Sequence, residues 1–534
     1  MISTTNSRLG RHAAATTSGV SGSTEEVDPR ARPGAHTREA ITPVVIRELE
    51  RSLPPDSRRP LSVRSSLMAA GIDAARLGDA ITRIEGRYGM RFHEEWLIDV
   101  QTCGDLVQCV AERMFDAADR APPRVTPQPQ NGPAPAQPGQ DDDFPECRVI
   151  EERLATLEQV GLANPFLLAH EAVAGRSARI AGREIVSFTS FDYLGLAGHP
   201  DVTAAAKAAI DRFGCSSSAS RLVGGNTTLL DALDAELAAF LGAEGVAVFP
   251  CGYGTNASVL SHLFGDGDLI LYDELSHNSM TQGVTASGAA ARSFRHNDAD
   301  SLNGLLRDLR GRYRRVVVAI EGVYSMDGDY PDLPRFIDIK QRHEALLYVD
   351  EAHSLGTMGP TGRGICEHFG VSPAAGDLWM GTISKSLGSG GGYIAGSRRL
   401  VDYLRLTTPA LVFSTASSPA NSAAALEAVR VLQREAWRVE RLRERAELFL
   451  KLAIDAGLDT GTSDNTPVIP VILGSSERAL AVSQHLLERG INARPILYPA
   501  VRESAARVRF FITAEHTEDQ IVRAVEEVAA AAAR

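Results

Sequence analysis

The sequence predicts a largely parallel α/β sheet covered by helices, preceded by a small all-helical domain. Three observations carry this expectation. From Pro145 to the end of the 534-residue chain, short apolar runs alternate with helical patterns. Residues 39–118 instead repeat apolar positions every three or four residues. Between the two regions, residues 121–140 hold seven prolines among Gln, Ala and Gly.

Taken in order, residues 1–38 are polar and poor in large apolar side chains, which predicts a disordered tail. Residues 1–24 are rich in Ser, Thr and Ala with two arginines and no acid, so a transit peptide is the alternative reading. In 39–118, Ile46-Leu49-Leu53, Leu77-Ile81-Ile84 and Leu106-Val110-Met114 mark amphipathic helices. Residues 119–145, closing on Asp141-Asp-Asp143, read as a solvated, semi-extended linker. From 146 to 534, Val246–Phe249, Leu269–Tyr272, Val316–Ile320, Leu346–Asp350 and Val468–Leu473 read as buried strands. A large domain is expected over about 200–430 and a small one over about 431–534.

A net charge of −12 argues against an electrostatic grip on nucleic acid or anionic membrane. No apolar run approaches the roughly 18 residues of a membrane span. The six cysteines (103, 109, 147, 215, 251 and 366) lack paired metal-ligand spacing and read as reduced thiols of a cytoplasmic protein. No metal site is expected.

The chemistry concentrates at strand ends, where sites form in such sheets. The run Ala345-Leu-Leu-Tyr-Val349 delivers Asp350 and, three residues on, His353. Lys385 follows Asp350 by 35 residues, between Ser384 and Ser386, in a stretch from Leu378 to Ile394 with no other charge. An ammonium is costly in such surroundings unless it has a task. A Schiff-base lysine, a carboxylate for a pyridine nitrogen and hydroxyls for a phosphate (Thr382, Ser384) together point to pyridoxal 5′-phosphate (PLP). Phe249-Pro-Cys-Gly-Tyr-Gly-Thr-Asn256 follows one strand and opens a helix, so its amides can face that phosphate; an ordinary strand–helix turn is the bland alternative. His277 follows another strand and can stack on the ring, although a lone histidine is more often structural. Asp350-Glu-Ala-His353 also occurs as a helicase box, but no phosphate loop of the Gly-x-x-x-x-Gly-Lys type exists here. Gly388-Ser-Gly-Gly-Gly392 does not fit a dinucleotide fingerprint and reads as close backbone packing.

In this order, the motifs resemble the α-oxoamine synthases, PLP enzymes of the aspartate-aminotransferase-like fold type I. The resemblance covers about residues 146–530. It rests on Asp192-Tyr-Leu-Gly-Leu196, Ser220-Arg-Leu-Val-Gly-Gly225, Glu321-Gly-Val-Tyr-Ser-Met-Asp-Gly-Asp329, Val349–Gly356, Gly362-Arg-Gly364, Gly381–Gly392, Phe413-Ser-Thr415 and Ala514-Glu-His516. It implies a three-layer α/β/α large domain, a small C-terminal α/β domain and a homodimer with sites at the interface. It implies Lys385 as the Schiff-base lysine and acid/base at Cα. Asp350 would meet the pyridine nitrogen, His353 the phenolic oxygen, and His277 the ring face. Gly252, Tyr253 and Thr382 would cradle the phosphate, with Thr415 reaching the phosphate of the neighbouring subunit. Ser325 would lie beside the cofactor. Arg509, and after it Arg507, would hold the amino acid carboxylate.

Four positions depart from the family pattern. Phe191 stands in place of Asn, Leu230 of His, Leu497 of Arg, and Ser216–Ala219 replaces a glycine-rich turn. They leave the cofactor set intact and bear on the substrates. Residues 39–118 resemble an acyl carrier protein through Leu67–Leu77, Ile84–Phe92 and Thr102–Leu106. The Asp-Ser-Leu that receives a pantetheine arm is here Asp73-Ala74-Ala75, so no acyl chain is expected on it. A generic helical bundle is the alternative. The expected activity is decarboxylative condensation of a small amino acid (Ala, Ser or Gly) with an acyl thioester of CoA or a carrier protein, giving an α-aminoketone. Residues 39–118 would dock a carrier or synthase partner or hold the dimer. The alternatives are a silent or regulatory partner subunit, against which Lys385 and Asp350 speak, and another fold type I PLP enzyme such as an aldolase or aminotransferase.

Overall fold

The computed structural model describes residues 164–533 apart from 499, together with parts of 38–110 and of 147–155. The chain divides into two compact units, Met1–Pro138 and Gly139–Arg534. The expected tail, apart from Arg38, and the expected linker lie outside the described residues. Among the described residues, no helix is long and apolar enough to cross a membrane.

In the first unit, helices Arg38–Glu50 and Ala74–Tyr88 pack through Ile41, Val45, Leu49, Ile81 and Ile84, joined by Leu106 and Val110. Of the positions read from the sequence, Leu49, Ile81, Ile84, Leu106 and Val110 lie in this core, and Ile46, Leu53 and Leu77 are partly buried against it. The buried Glu48 accepts from Arg83 Nε at 3.1 Å, so its charge is paired. Met114 and the side chains at 74 and 75 lie outside the described residues.

In the second unit a hairpin, β1 (Ser177–Ile180) and β2 (Arg183–Ser187), precedes the main sheet. That sheet has seven strands: β3 (Gly245–Phe249), β4 (Asp268–Asp273), β5 (Ala290–Phe294), β6 (Arg315–Glu321), β7 (Leu346–Asp350), β8 (Leu378–Thr382) and β9 (Gly392–Gly396). Their order is β3-β9-β8-β7-β6-β4-β5, with β9 antiparallel to both neighbours and the other pairs parallel. The β-branched run Val316–Val318 lies inside β6, buried on both faces as a helix-covered sheet requires. The register sets Glu321 beside Asp350, Asp350 beside Met380, and Thr382 beside Gly392. The functional ends of β6, β7 and β8 therefore stop at one level.

A second core gathers around Phe188, Phe449 and Phe510. It lies under β10 (Val468–Ile472), β12 (Arg494–Ile496) and β13 (Arg507–Phe511), which form an antiparallel sheet. This small domain is not purely C-terminal, because β11 (Ile491–Asn492) pairs in parallel with β2. The chain returns from the hairpin to Phe188 and then runs through residues 189–196 toward the sheet's functional edge.

The reversal from β8 into the antiparallel β9 is made at Gly388–Gly391. Gly388 has φ +57°, and a Cβ there would lie 2.4 Å from the Ala197 amide nitrogen. Ile383 N–H donates to Gly391 O at 2.9 Å, closing the loop that carries Lys385. Gly388→Ala should destabilise the protein by about 2 kcal/mol or more, combining left-handed strain with a backbone clash. The measurement is a thermal melt, where the midpoint should fall by several degrees; an unchanged midpoint would show that the turn yields freely.

Candidate active site

Each expected site residue except Thr415 sits at or beside the strand ends or on β13. Asp350 closes β7. Its Oδ2 accepts from Asn256 Nδ2 at 2.6 Å and its Oδ1 from the Ala352 amide at 2.8 Å. Asn256 is itself oriented by Tyr348 Oη, which donates to its Oδ1 at 2.7 Å. The buried carboxylate is thus held from two sides, with its strand neighbour Tyr348 steering the amide that holds it.

His353 is buried, and its Nδ1 lies 2.6 Å from Tyr193 Oη. Burial pushes the Tyr193 phenol far up, so it keeps its proton. Burial, reinforced by Lys385 and Arg509, pushes His353 well down, so its ring is neutral. Among the described residues, the phenol has no acceptor other than Nδ1. Tyr193 therefore donates, Nδ1 accepts, and the ring proton sits on Nε2.

His277 follows β4 and caps helix Asn278–Ser287 through Nδ1, which lies 3.2 Å from the Ser279 amide and 2.7 Å from Ser279 Oγ. Its backbone amide donates to Glu321 Oε1 at 2.6 Å. Glu321 is fully enclosed beside Asp350, and burial followed by that neighbouring charge raises its pKa well above the carboxylate range. A neutral acid next to Asp350 leaves one negative charge at the centre rather than two.

Lys385, three residues beyond β8, is half-buried, and its Nζ lies 5.6 Å over the Phe191 ring. Burial lowers its pKa to about 8, partly opposed by Asp350 and Glu321. Thr382 Oγ1 meets Ser384 Oγ at 2.8 Å and donates to Gly391 O at 3.1 Å. Gly252 opens helix Gly252–Leu263 directly against Thr382: a Cβ there would stand 2.7 Å from Thr382 Oγ1. A glycine at this point brings amides, a helix N-terminus and two hydroxyls together, the donor set an anion requires. Tyr253 is half exposed beside it, with Oη on Asn278 at 2.9 Å.

The two arginines of β13 differ. Arg507 is engaged by Asp327 at 2.6 Å, Met326 O at 3.0 Å and Ala505 O at 2.8 Å. Arg509 donates to Ser325 O at 2.5 Å, packs 4.5 Å over the Phe511 ring, and leaves its buried Nε without a partner among the described residues. Burial brings its pKa to about 10, and it remains a cation. Thr415 is exposed and makes no hydrogen bond to this cluster within the chain.

Tyr193, Asn256, Ser279 and Glu321 complete the site, and no local pattern singles them out. Tyr193, Asn256 and Glu321 stand inside recognisable motifs, but their roles depend on partners far along the chain, 94 residues away for Asn256 and 160 for Tyr193.

The family described as aminotransferase class I and II matches residues 183–528. The 8-amino-7-oxononanoate synthase of Thermoanaerobacter pseudethanolicus is 36% identical over 377 residues, covering 71% of this chain and 95% of that protein. The 8-amino-7-oxononanoate synthase 1 of Bacillus velezensis is 38% identical over 362 residues, covering 68% and 92%. The chain belongs to the α-oxoamine synthase family. Solved structures agree with this: serine palmitoyltransferase of Sphingomonas wittichii superposes with TM-score 0.70 at 32% identity, covering 73% of this chain and 98% of its own. A structure of SPT with PLP gives 0.70 at 30%, covering 73% and 98%. This α-oxoamine synthase is a PLP-dependent acyltransferase that condenses an amino acid with an acyl thioester. Its residues fit the cofactor on their own terms. Asp350 supplies a fixed carboxylate, His353 a ring N–H with no partner among the described residues, and the Gly252–Thr382 cradle an anion site that a Cβ would fill.

Two loops of the site are tied together by His296. Its Nδ1 meets Asp273 Oδ1 at 2.8 Å and its Nε2 meets Asp329 Oδ2 at 3.0 Å, while Thr462 of the small domain donates to Asp329 Oδ2 at 2.8 Å. Burial lowers its pKa, but the two carboxylates outweigh that and raise it to about 10. A raised folded-state pKa contributes stability that is complete below about 6.5 and is lost as pH climbs through about 10. In melts between pH 7 and 11, the native enzyme should lose thermal stability across that window. His296→Gln should start lower and show a shallower alkaline decline; parallel curves would mean that the histidine is not a cation at neutral pH.

Proposed function

We propose that the enzyme joins a small amino acid (Ala, Ser or Gly) to the acyl group of a CoA or carrier-protein thioester, with loss of carbon dioxide, to give an α-aminoketone. The observation that carries this reading is one cluster: Lys385 with a depressed pKa, Asp350 fixed at a strand end, and Arg509 with a buried Nε unpaired among the described residues. PLP, when bound, supplies an electron sink that acidifies the amino acid's Cα. Lys385 Nζ would hold the cofactor and, when free, would take the proton from the amino acid's Cα. A pKa of about 8 gives it an appreciable neutral fraction at physiological pH for both tasks. Asp350 would hold the pyridine nitrogen protonated, and His353 Nε2–H would donate to the phenolic oxygen. His277 would cover one ring face. The amides of Gly252 and Tyr253, with Thr382 and Ser384, would hold the phosphate, and Ser325 would lie beside the ring. Arg509 holds the carboxylate by charge-assisted bonds and so sets which Cα bond faces the ring edge-on or broadside. Arg507, tied to Asp327, supports that strand.

We assign the working form to a cytoplasmic homodimer in which Thr415 of each subunit reaches the other's phosphate. Its exposure, with the neighbouring Phe413 83% exposed, supports a surface that a second copy covers. Residues 39–118 are assigned a docking role toward a carrier or synthase partner, supported by their own helical core.

Purified protein mixed with PLP should be yellow, with a visible absorbance band that shifts when its amino acid is added. Lys385→Ala should lose that band; an undiminished band in the variant would overturn the lysine's role. The rate at which cofactor-free protein captures PLP should rise with pH through about 8, as Nζ loses its proton. A pantetheinyl transferase with CoA should add no mass to the protein, since position 74 is Ala. Gain of one arm, seen by intact-mass spectrometry, would contradict the docking role and make residues 39–118 a carrier.

A further inference from the structure

We propose that Phe191 selects the amino acid, forming with Phe511 a hydrocarbon wall that favours an apolar β-carbon, L-alanine above all, over a hydroxylated one. The inference rests on the reading in which Lys385 and Arg509 engage the amino acid. Phe191 sits on a pinned loop. On one side Ser190 Oγ donates to Ala174 O at 2.6 Å. On the other, Asp192 accepts from the Leu196 and Ala197 amides at 2.8 and 3.1 Å, and Tyr193 is buried on His353. The ring has little freedom to withdraw.

Its surroundings place it at the reacting centre. Lys385 Nζ lies 5.6 Å over the ring. Its edge meets Phe511 at 4.5 Å between centroids (80°) and His353 at 5.7 Å (84°). Phe511 in turn lies 4.5 Å under the Arg509 guanidinium. The two rings therefore span the distance from the amine to the carboxylate holder, and Phe191 keeps 36% of its surface open.

An amino acid bound here presents its nitrogen where Lys385 Nζ is, its carboxylate to Arg509, and its Cα hydrogen to the freed lysine. The remaining substituent on Cα then meets the ring that borders both groups. Phenylalanine offers no donor or acceptor. The polar atoms nearby are committed elsewhere: His353 Nδ1 to Tyr193, Arg507 Nε and Nη1 to Ala505, Met326 and Asp327, and, on the proposed reading, His353 Nε2–H to the cofactor and Arg509 to the carboxylate. A hydroxyl on the β-carbon would exchange water for hydrocarbon without a replacement bond. Apolar pockets reject an added hydroxyl by at most about a hundredfold, and a partly open wall should give about tenfold.

The test titrates the PLP-loaded enzyme with L-alanine, glycine and L-serine and takes the Kd of each from the shift of the visible band. The native enzyme should bind L-alanine about tenfold tighter than L-serine, with glycine weaker than alanine. Phe191→Asn should bring the alanine-to-serine ratio within about threefold, and Phe191→Leu, which keeps a hydrocarbon surface, should retain it. Serine binding as tightly as alanine to the native enzyme overturns the proposal even if a variant fails to fold. So does a ratio unmoved in Phe191→Asn, or a band that answers to none of the three amino acids. A protein that takes up no PLP at all would instead fail the cofactor reading, and the inference would fall with it.

Discussion

The site depends on one fixed carboxylate. Asp350 could not stay in place at a buried strand end without partners, and the fold supplies them from two directions: the Ala352 amide of its own turn and the Asn256 side chain of the helix after β3. Tyr348, two residues earlier on the same strand, orients Asn256 in turn. A charge that leaned on exposed partners would be screened and mobile. Here the bond from Asn256 is buried and that from Ala352 partly so, and the carboxylate presents one geometry to whatever sits above it.

The other charges follow from that choice. Glu321 lies beside Asp350 by strand register and is pushed toward its neutral form, which spares the site a second buried anion. Lys385 loses part of its basicity to burial, and the carboxylates only partly restore it. Arg509 stays cationic at the opposite wall. His353 is kept neutral by these cations and by burial, and Tyr193 decides which of its nitrogens carries the proton. A centre built in this way holds an amine that can lose its proton and an arginine that cannot. That contrast suits the proposed roles, an amine that reacts and an arginine that binds.

Much of the architecture is legible in the chain. Val316–Ile320 and Ala345–Val349 are unbroken apolar runs, and they form β6 and β7 within a residue or two. Other strands carry no such signal, for physical reasons. Ala290–Phe294 is an edge strand with mixed exposure, so it lacks a continuous apolar run. Gly392–Gly396 begins and ends on glycine, and its antiparallel direction is produced by the left-handed Gly388 turn rather than by any strand signal. The close packing expected of the glycine run is present: a Cβ on Gly392 would lie 2.7 Å from Gly252 Cα.

By itself the sequence singled out Asp350 and Lys385, because an acid after an apolar run and a lysine in an uncharged stretch are local patterns that ordinary surface positions rarely produce. It also marked the central strands of the sheet, since apolar run length is a property of short segments, but not Ala290–Phe294 or Gly392–Gly396. Only the tertiary structure decided how those side chains behave. That Arg509 rather than Arg507 keeps a buried nitrogen unpartnered among the described residues depends on Ala505, Met326 and Asp327 lying beside Arg507. That Phe191 stands over Lys385 depends on a loop held by Ala174, Leu196 and Ala197. Proton affinity and pocket shape are set by neighbours distant in the chain, and burial acts on a group only once those neighbours have closed around it.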